Sequence, residues 1–556
     1  MGVSQACNSK NSLMFHFDDM PVIYPVGEHS FREVRQKGCV YVDKTIYVAR
    51  MITQAKFIFL SRPRRFGKSL MLSTVEYYFR GEKELFEGTW LGEHEKEWKQ
   101  YPVLRFDMTE TEAITASQLS EFLHAQLGNY ERLYGVEDNS RWNDIAFRYN
   151  SLIRNIYQVT GRQVVILIDE YDKGLLESLD AAQEEQDAMT TLLRAFYSQP
   201  KAATEAVKFC LVTGVARFGH LTLFSGPNNY LDISMNPMYA AICGITQQEL
   251  IDYFQEGINA LSQNRGVSHD DMIEALRVKY DSYRFTQGPE LVYNPFSLLC
   301  AFSELSLDNF WIKSGTSKVF VKYLTRSEFD LMELEKLWVT RDRMESKYSK
   351  EDSTPLLFQT GYLTIKDVME AKLYRLGIPN GEVRSALVEQ LMPKYMGISE
   401  DVFSLLMTQL LADLKKGNVE AWVEDIKSLI SRIPNQIFGP IESHLADEAK
   451  RAKVKEDNIA RFERTYHIII HMICQMIKVE AQSEVAFSGG RADMVIETKK
   501  FVYVIEYKLD SPASEALRQI DEKGYLLPWH ADDRKVYKIG ISFSSNDRNI
   551  TEMRFE

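Results

Sequence analysis

The segment QVVILIDEYD (163–172) sets an uninterrupted apolar run, Val164 to Ile168, directly before two acids, Asp169 and Glu170. A strand with one wet face alternates polar and apolar residues, whereas a continuous apolar run of this length suits a strand covered on both faces. Such strands belong to parallel sheets, and open parallel sheets bind their ligands at the carboxyl ends of the strands. The run therefore predicts an α/β fold with Asp169 and Glu170 at a ligand-binding edge.

A second segment supplies a partner for those acids. In AKFIFLSRPRRFGKSLMLSTVEYYF (55–79) a strand-like run, Phe57 to Leu60, leads through a basic loop into an amphipathic helix. Strand, loop and helix in that order, with Gly67-Lys68-Ser69 at the junction, are the context of a phosphate-binding loop. Arg65, Phe66, Gly67, Lys68, Ser69 and Leu70 are the nucleotide-binding candidates: Lys68 to reach the β- and γ-phosphates, Ser69 to coordinate Mg²⁺. Asp169 would hold the same ion, and Glu170 would orient or activate the attacking water. The loop departs from the usual pattern, because Arg62 stands where the first glycine belongs and Pro63 removes an N–H. A basic surface loop containing GKS is the alternative. A further buried run, VKFCLVTG (207–214), presents Thr213 as a candidate for the γ-phosphate, with Arg217 as an accessory candidate for its charge. Asp172 reads as an accessory acid or as a solvated or helix-capping group.

The C-terminal GGRADMVIETKKFVYVIEYK (489–508) reads as a β-hairpin turning at Thr498-Lys499-Lys500. A turn centred between the lysines sets Glu497 against Val502, Val495 against Val504 and Asp493 against Glu506. Alternation then puts Asp493, Val495, Val504, Glu506 and Lys508 on one face and Met494, Ile496, Tyr503, Ile505 and Tyr507 on the other. Both faces are apolar enough to be buried. Facing carboxylates repel and are costly to bury, a conflict that a divalent cation resolves. A salt-bridge network of Asp493, Glu506 and Lys508 is the structural alternative.

A chain of 556 residues implies two to four domains, and its 45% hydrophobic and 26% charged residues suit a globular protein. The six cysteines have no paired spacing, which argues against a zinc site or disulfide framework and suits a reducing, cytoplasmic setting. No run approaches 18 apolar residues, so no membrane partner is expected. A formal net charge of −12 means that nucleic acid would bind only through a local basic surface or metal ions.

YPVGEHSFREVRQKGCVYVDKT (24–45), RPRRFGKSL (62–70), LIDEYD (167–172), LVTGVARF (211–218), YDSYRF…VYNPFSLL (280–299), FQTGYLTI (358–365), LGIPNGEVR (376–384) and the terminal hairpin together resemble the prokaryotic AAA-ATPase-like proteins that carry a C-terminal PD-(D/E)XK nuclease-like domain. The resemblance spans nearly the whole chain, and arginine in place of the first loop glycine is similar to that family's own form of the loop. It implies a P-loop ATPase parallel sheet with flanking helices over 1–250 and a restriction-endonuclease-like α/β domain over 446–556; between them the helical periodicity of QQELIDYF (247–254) and FSLLMTQLLADLKKG (403–417) and the hairpin or small wing read in 359–380 give the expectation of a mostly helical, winged-helix-like coupling region over 251–445. It also implies that Asp493 and Glu506 hold Mg²⁺ or Mn²⁺ while Lys508 orients or deprotonates water. Glu463, Glu484, Gln519 and Tyr525 are accessory candidates. The expected activity is ATP-controlled cleavage of nucleic acid, DNA rather than RNA, in defence or DNA processing, with a homo-oligomer or a partner protein compatible. The alternative is a nucleotide-driven switch whose nuclease-like domain binds without cutting.

Overall fold

The computed structural model describes residues 22–113, 115–136, 143–218, 230–313, 337–346, 352–370, 372–396, 398–432, 470, 473, 480–487, 490–544 and 549–556. The chain forms two compact units, divided between Asp308 and Asn309.

The first unit is built on a five-stranded sheet of β1 (Phe57–Ser61), β2 (Val103–Asp107), β3 (Val164–Asp169), β4 (Val207–Gly214) and β5 (Leu231–Asp232), in the order β2-β3-β4-β1-β5. Every pairing in it is parallel. All six residues of β3 are buried, as its unbroken apolar run requires. One side of the sheet is covered by the helices Ala116–Tyr134, Ile145–Thr160 and Gln183–Tyr197, whose Leu123, Leu127, Ile153, Ile156, Leu193 and Phe196 close on Phe59, Ile166, Ile168 and Val212. The helix Lys68–Phe79 follows β1 and packs against β2, β3 and β4, burying Met71, Leu72, Val75 and Phe79. Because β4 lies between β1 and β3, Thr213 at its end stands between the loop that follows β1 and the acids that follow β3.

The second unit opens with a three-stranded sheet in which β6 (Trp338–Thr340) pairs with β8 (Leu373–Gly377), itself the partner of β7 (Thr364–Met369) in a hairpin. The helices Thr354–Gln359 and Gly381–Tyr395 precede and follow that hairpin in sequence. A second five-stranded sheet follows, made of β9 (Glu480–Phe487), β10 (Gly490–Glu497), β11 (Phe501–Leu509), β12 (Lys535–Ser544) and β13 (Asn549–Phe555). It is antiparallel except for β11 and β12, which run parallel and are joined through the helix Ala513–Glu522.

Both faces of this sheet are covered, which accounts for the apolar residues on both faces of the hairpin. Met494, Ile496, Tyr503, Ile505 and Tyr507 share a core with Leu410 and Leu414 of the helix Glu400–Lys416 and with Trp422 and Ile426 of Val419–Ile430. Val495, Val502 and Val504 share the other core with Ile520 and Tyr525. The helix pair is fastened to the sheet at its turn. Tyr503 Oη donates to Leu414 O at 2.6 Å and Tyr537 Oη to Gly417 O at 3.3 Å. Gly417 ends its helix at φ +73°, and a Cβ there would stand 2.7 Å from the Phe501 ring. Gly417→Val thus combines a left-handed backbone that a β-branched residue resists with a clash inside a shared core. We expect it to lower unfolding free energy by about 2 kcal/mol or more in denaturant titrations of the full chain, whereas an unchanged midpoint would mean that these helices do not belong to the core of the sheet.

Candidate nucleotide and metal sites

The loop after β1 is shaped by the residues that break the usual pattern. Arg62 continues the pairing with β4 by donating its backbone N–H to Gly214 O at 3.1 Å. Its side chain turns inward, where the guanidinium donates to Ser61 O (3.0 Å), Ser234 O (2.7 Å) and Tyr239 O (3.1 Å) and lies 4.4 Å from the Phe285 ring centroid. Burial lowers its pKa to about 10, so it remains a cation at neutral pH. The side chain at the missing-glycine position is thus an internal brace that ties the loop to Ser234, Tyr239 and Phe285. Arg65 and Gly67 both take left-handed backbone, at φ +69° and +90°. Between them Phe66 is buried edge-on against Tyr283 (4.7 Å) and Phe285 (5.4 Å), and Arg65 lies over Phe296 at 4.8 Å. Sequence reasoning missed this set. The signal available was the co-occurrence of RPRRFGKSL with YDSYRF…VYNPF, which the fold explains as direct contact.

Lys68 is buried at the start of its helix, with Nζ 3.0 Å from Glu170 Oε1 and donating to Pro63 O at 3.2 Å. Ser69 and Leu70 follow in the first turn, both partly exposed. Asp169 Oδ1 accepts from Thr213 Oγ1 at 2.5 Å and from Glu170 N at 3.1 Å. Its Oδ2 is buried and accepts no hydrogen bond. Burial, then the neighbouring Glu170 charge, raises the Asp169 pKa, while the Thr213 and Ser69 hydroxyls draw it down. A buried carboxylate oxygen without a partner, beside a serine hydroxyl at a helix start, is a donor set that fits a hard divalent cation.

The remaining acids and bases divide by role. Asp172 is not solvated: it stands at the N-cap of the helix Lys173–Glu177, but its fully buried side chain, instead of capping that helix, accepts from Val215 N at 3.0 Å and Ala216 N at 2.5 Å, tying the exit of β4 to that of β3. Its pKa is raised, by burial first and by Glu170 second. A Cβ at Gly214 would stand 2.4 Å from the Tyr171 ring and 2.6 Å from Asp172, so this crossing needs glycine after Thr213. Arg217 lies 3.5 Å from Asp232 at the end of β5. On β2, Arg105 bridges Glu76 (3.0 Å) and Asp107 (3.5 Å), a network not anticipated from the sequence.

In the second unit the hairpin has the register that alternation predicts, with Val495 paired to Val504 and Glu497 to Val502. Past Met494 and Ile505 the side chains take over from the ladder. Tyr507 N donates to Asp493 Oδ2 at 2.7 Å and Asp493 N donates to Glu506 Oε2 at 3.4 Å. Glu506 is buried, and its pKa is raised to about 7 by burial first and by Asp493 second, against the pull of Lys508. Lys508 Nζ lies 3.6 Å from Glu506 Oε1 and donates to Gln519 Oε1 at 2.6 Å, while Gln519 Nε2 donates to Glu506 Oε1. Asp493, Glu506, Lys508 and Gln519 therefore form one cluster. Tyr525 serves the adjoining backbone: its hydroxyl donates to Arg491 O at 2.8 Å and its ring packs in the core beneath β10. Glu484 occupies the β9 position between Ser483 and Val485, which pair with Met494 and Ala492, and so sits level with Asp493 in the backbone register. Glu463 lies outside the described residues. Among the described residues no three His, Cys, Asp or Glu side chains gather around one point. The two carboxylates, one holding its proton unusually tightly because of burial and then of the other, still fit a divalent cation whose other ligands are water or phosphate oxygens.

Comparison with known proteins agrees with this division. The family described as predicted AAA-ATPase matches residues 25–224, and the PD-(D/E)XK nuclease superfamily matches residues 461–553. An uncharacterized protein in the vnfD 5'region of Azotobacter chroococcum mcd 1 is 32% identical over 540 residues, covering 95% of this chain and 97% of that protein.

The Glu506 environment sets a pH dependence. The folded chain holds this proton up to about pH 7, whereas a glutamate of ordinary pKa 4.5 releases it earlier. Metal-free stability from this group is therefore complete below pH 4.5 and is lost as the pH rises to about 7. We expect the stability difference between wild type and Glu506→Gln, measured in chelator, to follow that fall, and Asp493→Asn to make it shallower. Mn²⁺ affinity should rise about tenfold per pH unit and level off above the Glu506 pKa, because binding displaces the proton. A pH-independent affinity would remove Glu506 from the metal site.

Proposed function

The chain belongs to the predicted AAA-ATPases that end in a PD-(D/E)XK nuclease-superfamily domain, and from that premise we propose that ATP binding and hydrolysis over 1–250 controls, through 251–445, a metal-dependent nuclease over 446–556. The observation that carries the nuclease half is the Asp493–Glu506–Lys508 cluster, in which two carboxylates and a cation converge where the hairpin ladder gives way. DNA is the proposed substrate, in defence or DNA processing. The cytoplasm is the proposed location, supported by the free thiols of Cys39, Cys210 and Cys243. No described helix is long and apolar enough to cross a membrane.

In this reading Arg65 to Leu70 surround the phosphates with loop and helix N–H groups, and Lys68 balances the β/γ-phosphate charge. Thr213 holds Asp169 in place and meets the γ-phosphate. Glu170 takes a proton from the attacking water once Lys68 turns to phosphate, so the 3.0 Å ion pair between them has to open. Ser69 and Asp169 in one unit, and Asp493 and Glu506 in the other, would hold Mg²⁺, with Mn²⁺ an option at the second site, supplying charge neutralisation and an acidified water. Lys508 orients that water or takes its proton, and Gln519 keeps Lys508 and Glu506 at their spacing.

The second reading, a nucleotide-driven switch whose nuclease-like domain binds without cutting, draws on the same Lys68–Glu170 pair, an interaction that nucleotide would exchange for another.

Cleavage assays on single- and double-stranded DNA and RNA, with and without Mg²⁺ and ATP, separate the two. Lys68→Ala should abolish ATP hydrolysis and change cleavage in either direction, and Glu170→Gln should bind ATP but lose at least about a hundredfold in turnover. Asp493→Asn and Lys508→Ala should each remove cleavage while leaving ATP hydrolysis in place. ATP hydrolysis without cutting of any substrate selects the switch, and cleavage indifferent to both ATP and Lys68→Ala overturns the control.

A further inference from the structure

Three elements of the second unit bring lysines to one end of the nuclease-like sheet. Lys415 and Lys416 close the helix Glu400–Lys416, Lys499 and Lys500 form the hairpin turn, and Lys535 opens β12. Their meeting is built rather than incidental. Lys535 N donates to Lys500 O at 3.1 Å, and Gly417, next to Lys416, abuts the Phe501 ring that follows Lys500. Beneath them the rings of Tyr503 and Tyr537 stack at 5.5 Å and carry the helix end on their hydroxyls, with Lys535 Nζ 4.3 Å from the Tyr537 centroid.

All five side chains are exposed, and none makes an ion pair among the described residues. Glu497 and Asp532 share Arg534, while Asp521 and Glu556 share Lys538. Asp533 and Glu420 are the other acids on these segments, both exposed. The five lysines and Arg534 outnumber the acids Glu420, Glu497, Asp532 and Asp533, and in a chain of net charge −12 that local excess of cations repels itself, a cost that a polyanion removes.

We infer that this lysine-rich end of the sheet is a docking surface for the phosphate backbone of a nucleic acid, distinct from the metal-binding carboxylates. The inference rests on the nuclease reading for its choice of polyanion. Lys500 and Glu506 are separated by a strand run of about 20 Å, which is within the reach of one bound duplex. No large apolar side chain is exposed on the segments 415–420, 497–501 or 532–538, so the surface offers nothing to insert into a lipid layer. Lysine point charges on a flat end suit contacts to phosphate without base reading, so binding here should be strong at low salt and indifferent to sequence.

The test uses the full chain carrying Asp493→Asn, so that binding is read without cutting, with and without Lys415→Gln, Lys416→Gln, Lys499→Gln and Lys500→Gln together. A labelled duplex of about 30 base pairs is titrated from about 50 to about 200 mM salt, beside poly-glutamate and phosphatidylserine vesicles. The quadruple change should weaken duplex binding at least about tenfold at the lowest salt and reduce the slope of log affinity against log salt by about 2 or more. An unchanged slope, no duplex binding by the parent, or a loss confined to poly-glutamate or vesicles overturns the inference. Cleavage by the wild-type chain is measured separately. Cutting with an unchanged slope defeats the docking surface alone, and a reduced slope without cutting defeats the nuclease reading alone.

Discussion

A carboxylate on a strand buried on both faces has no water to carry its charge, and both halves of this chain are organised around that constraint. In the first unit it falls on Asp169, at the end of the fully buried β3. One of its oxygens is met by Thr213 and a backbone N–H; the other is left without a partner. In the second it falls on Glu506, which shares the problem with Asp493 and answers it by holding a proton. Neither arrangement is the most stable use of these positions, since an apolar residue in either place would fold at lower cost. The chain keeps a stability deficit where a cation would remove it.

The strand order makes the first deficit usable. Inserting β4 between β1 and β3 sets Thr213 and Gly214 between the loop after β1 and the acids after β3, and Lys68 reaches across to Glu170. Glycine is needed there because Tyr171 and Asp172 occupy the space that a side chain would take. Asp172, buried by the same crossing, ties the two strand ends together through Val215 and Ala216. The loop itself loses a glycine and gains an arginine, whose guanidinium finds three carbonyls and an aromatic face inside the unit. A lysine could not satisfy three carbonyls and an aromatic face from one position, so this brace depends on the planar guanidinium.

What was legible in the sequence was what a local period or junction encodes. The apolar run of β3, the strand-loop-helix order around Lys68 and the alternation of 493–508 each specify their geometry within a few residues, and the hairpin register was readable down to Val495 facing Val504. What was not legible depends on partners far along the chain. Arg62 reads as a departure from the loop glycine until Ser234 and Tyr239 are beside it, and Phe66 reads only as a residue of the nucleotide-binding loop until Tyr283 and Phe285 enclose it. Asp172 suggested a cap or a solvated acid because nothing near it in sequence shows the two N–H groups that follow β4. The helices Glu400–Lys416 and Val419–Ile430 show ordinary amphipathic spacing, which says that they bury a face but not that the face is the far side of the C-terminal sheet.

The two candidate sites also share a device that only the side-chain geometry reveals. In each, a lysine lies against a carboxylate of the same candidate site: Lys68 at 3.0 Å from Glu170, and Lys508 at 3.6 Å from Glu506 with Gln519 bonded to both. A buried ion pair of this kind contributes little net stability, since desolvation offsets most of the attraction. It therefore costs little to exchange one anion for another. A phosphate that draws the lysine away frees the acid in the same motion, so binding and activation are linked through a single charge. Among the described residues no side chain is bonded to both Lys68 and Glu170, and Lys68 is otherwise held by Pro63 O. In the second unit Gln519 is bonded to both partners, so their spacing is kept by a third side chain. On the proposed reading, the first pair is the one that a ligand can open and the second the one that stays assembled.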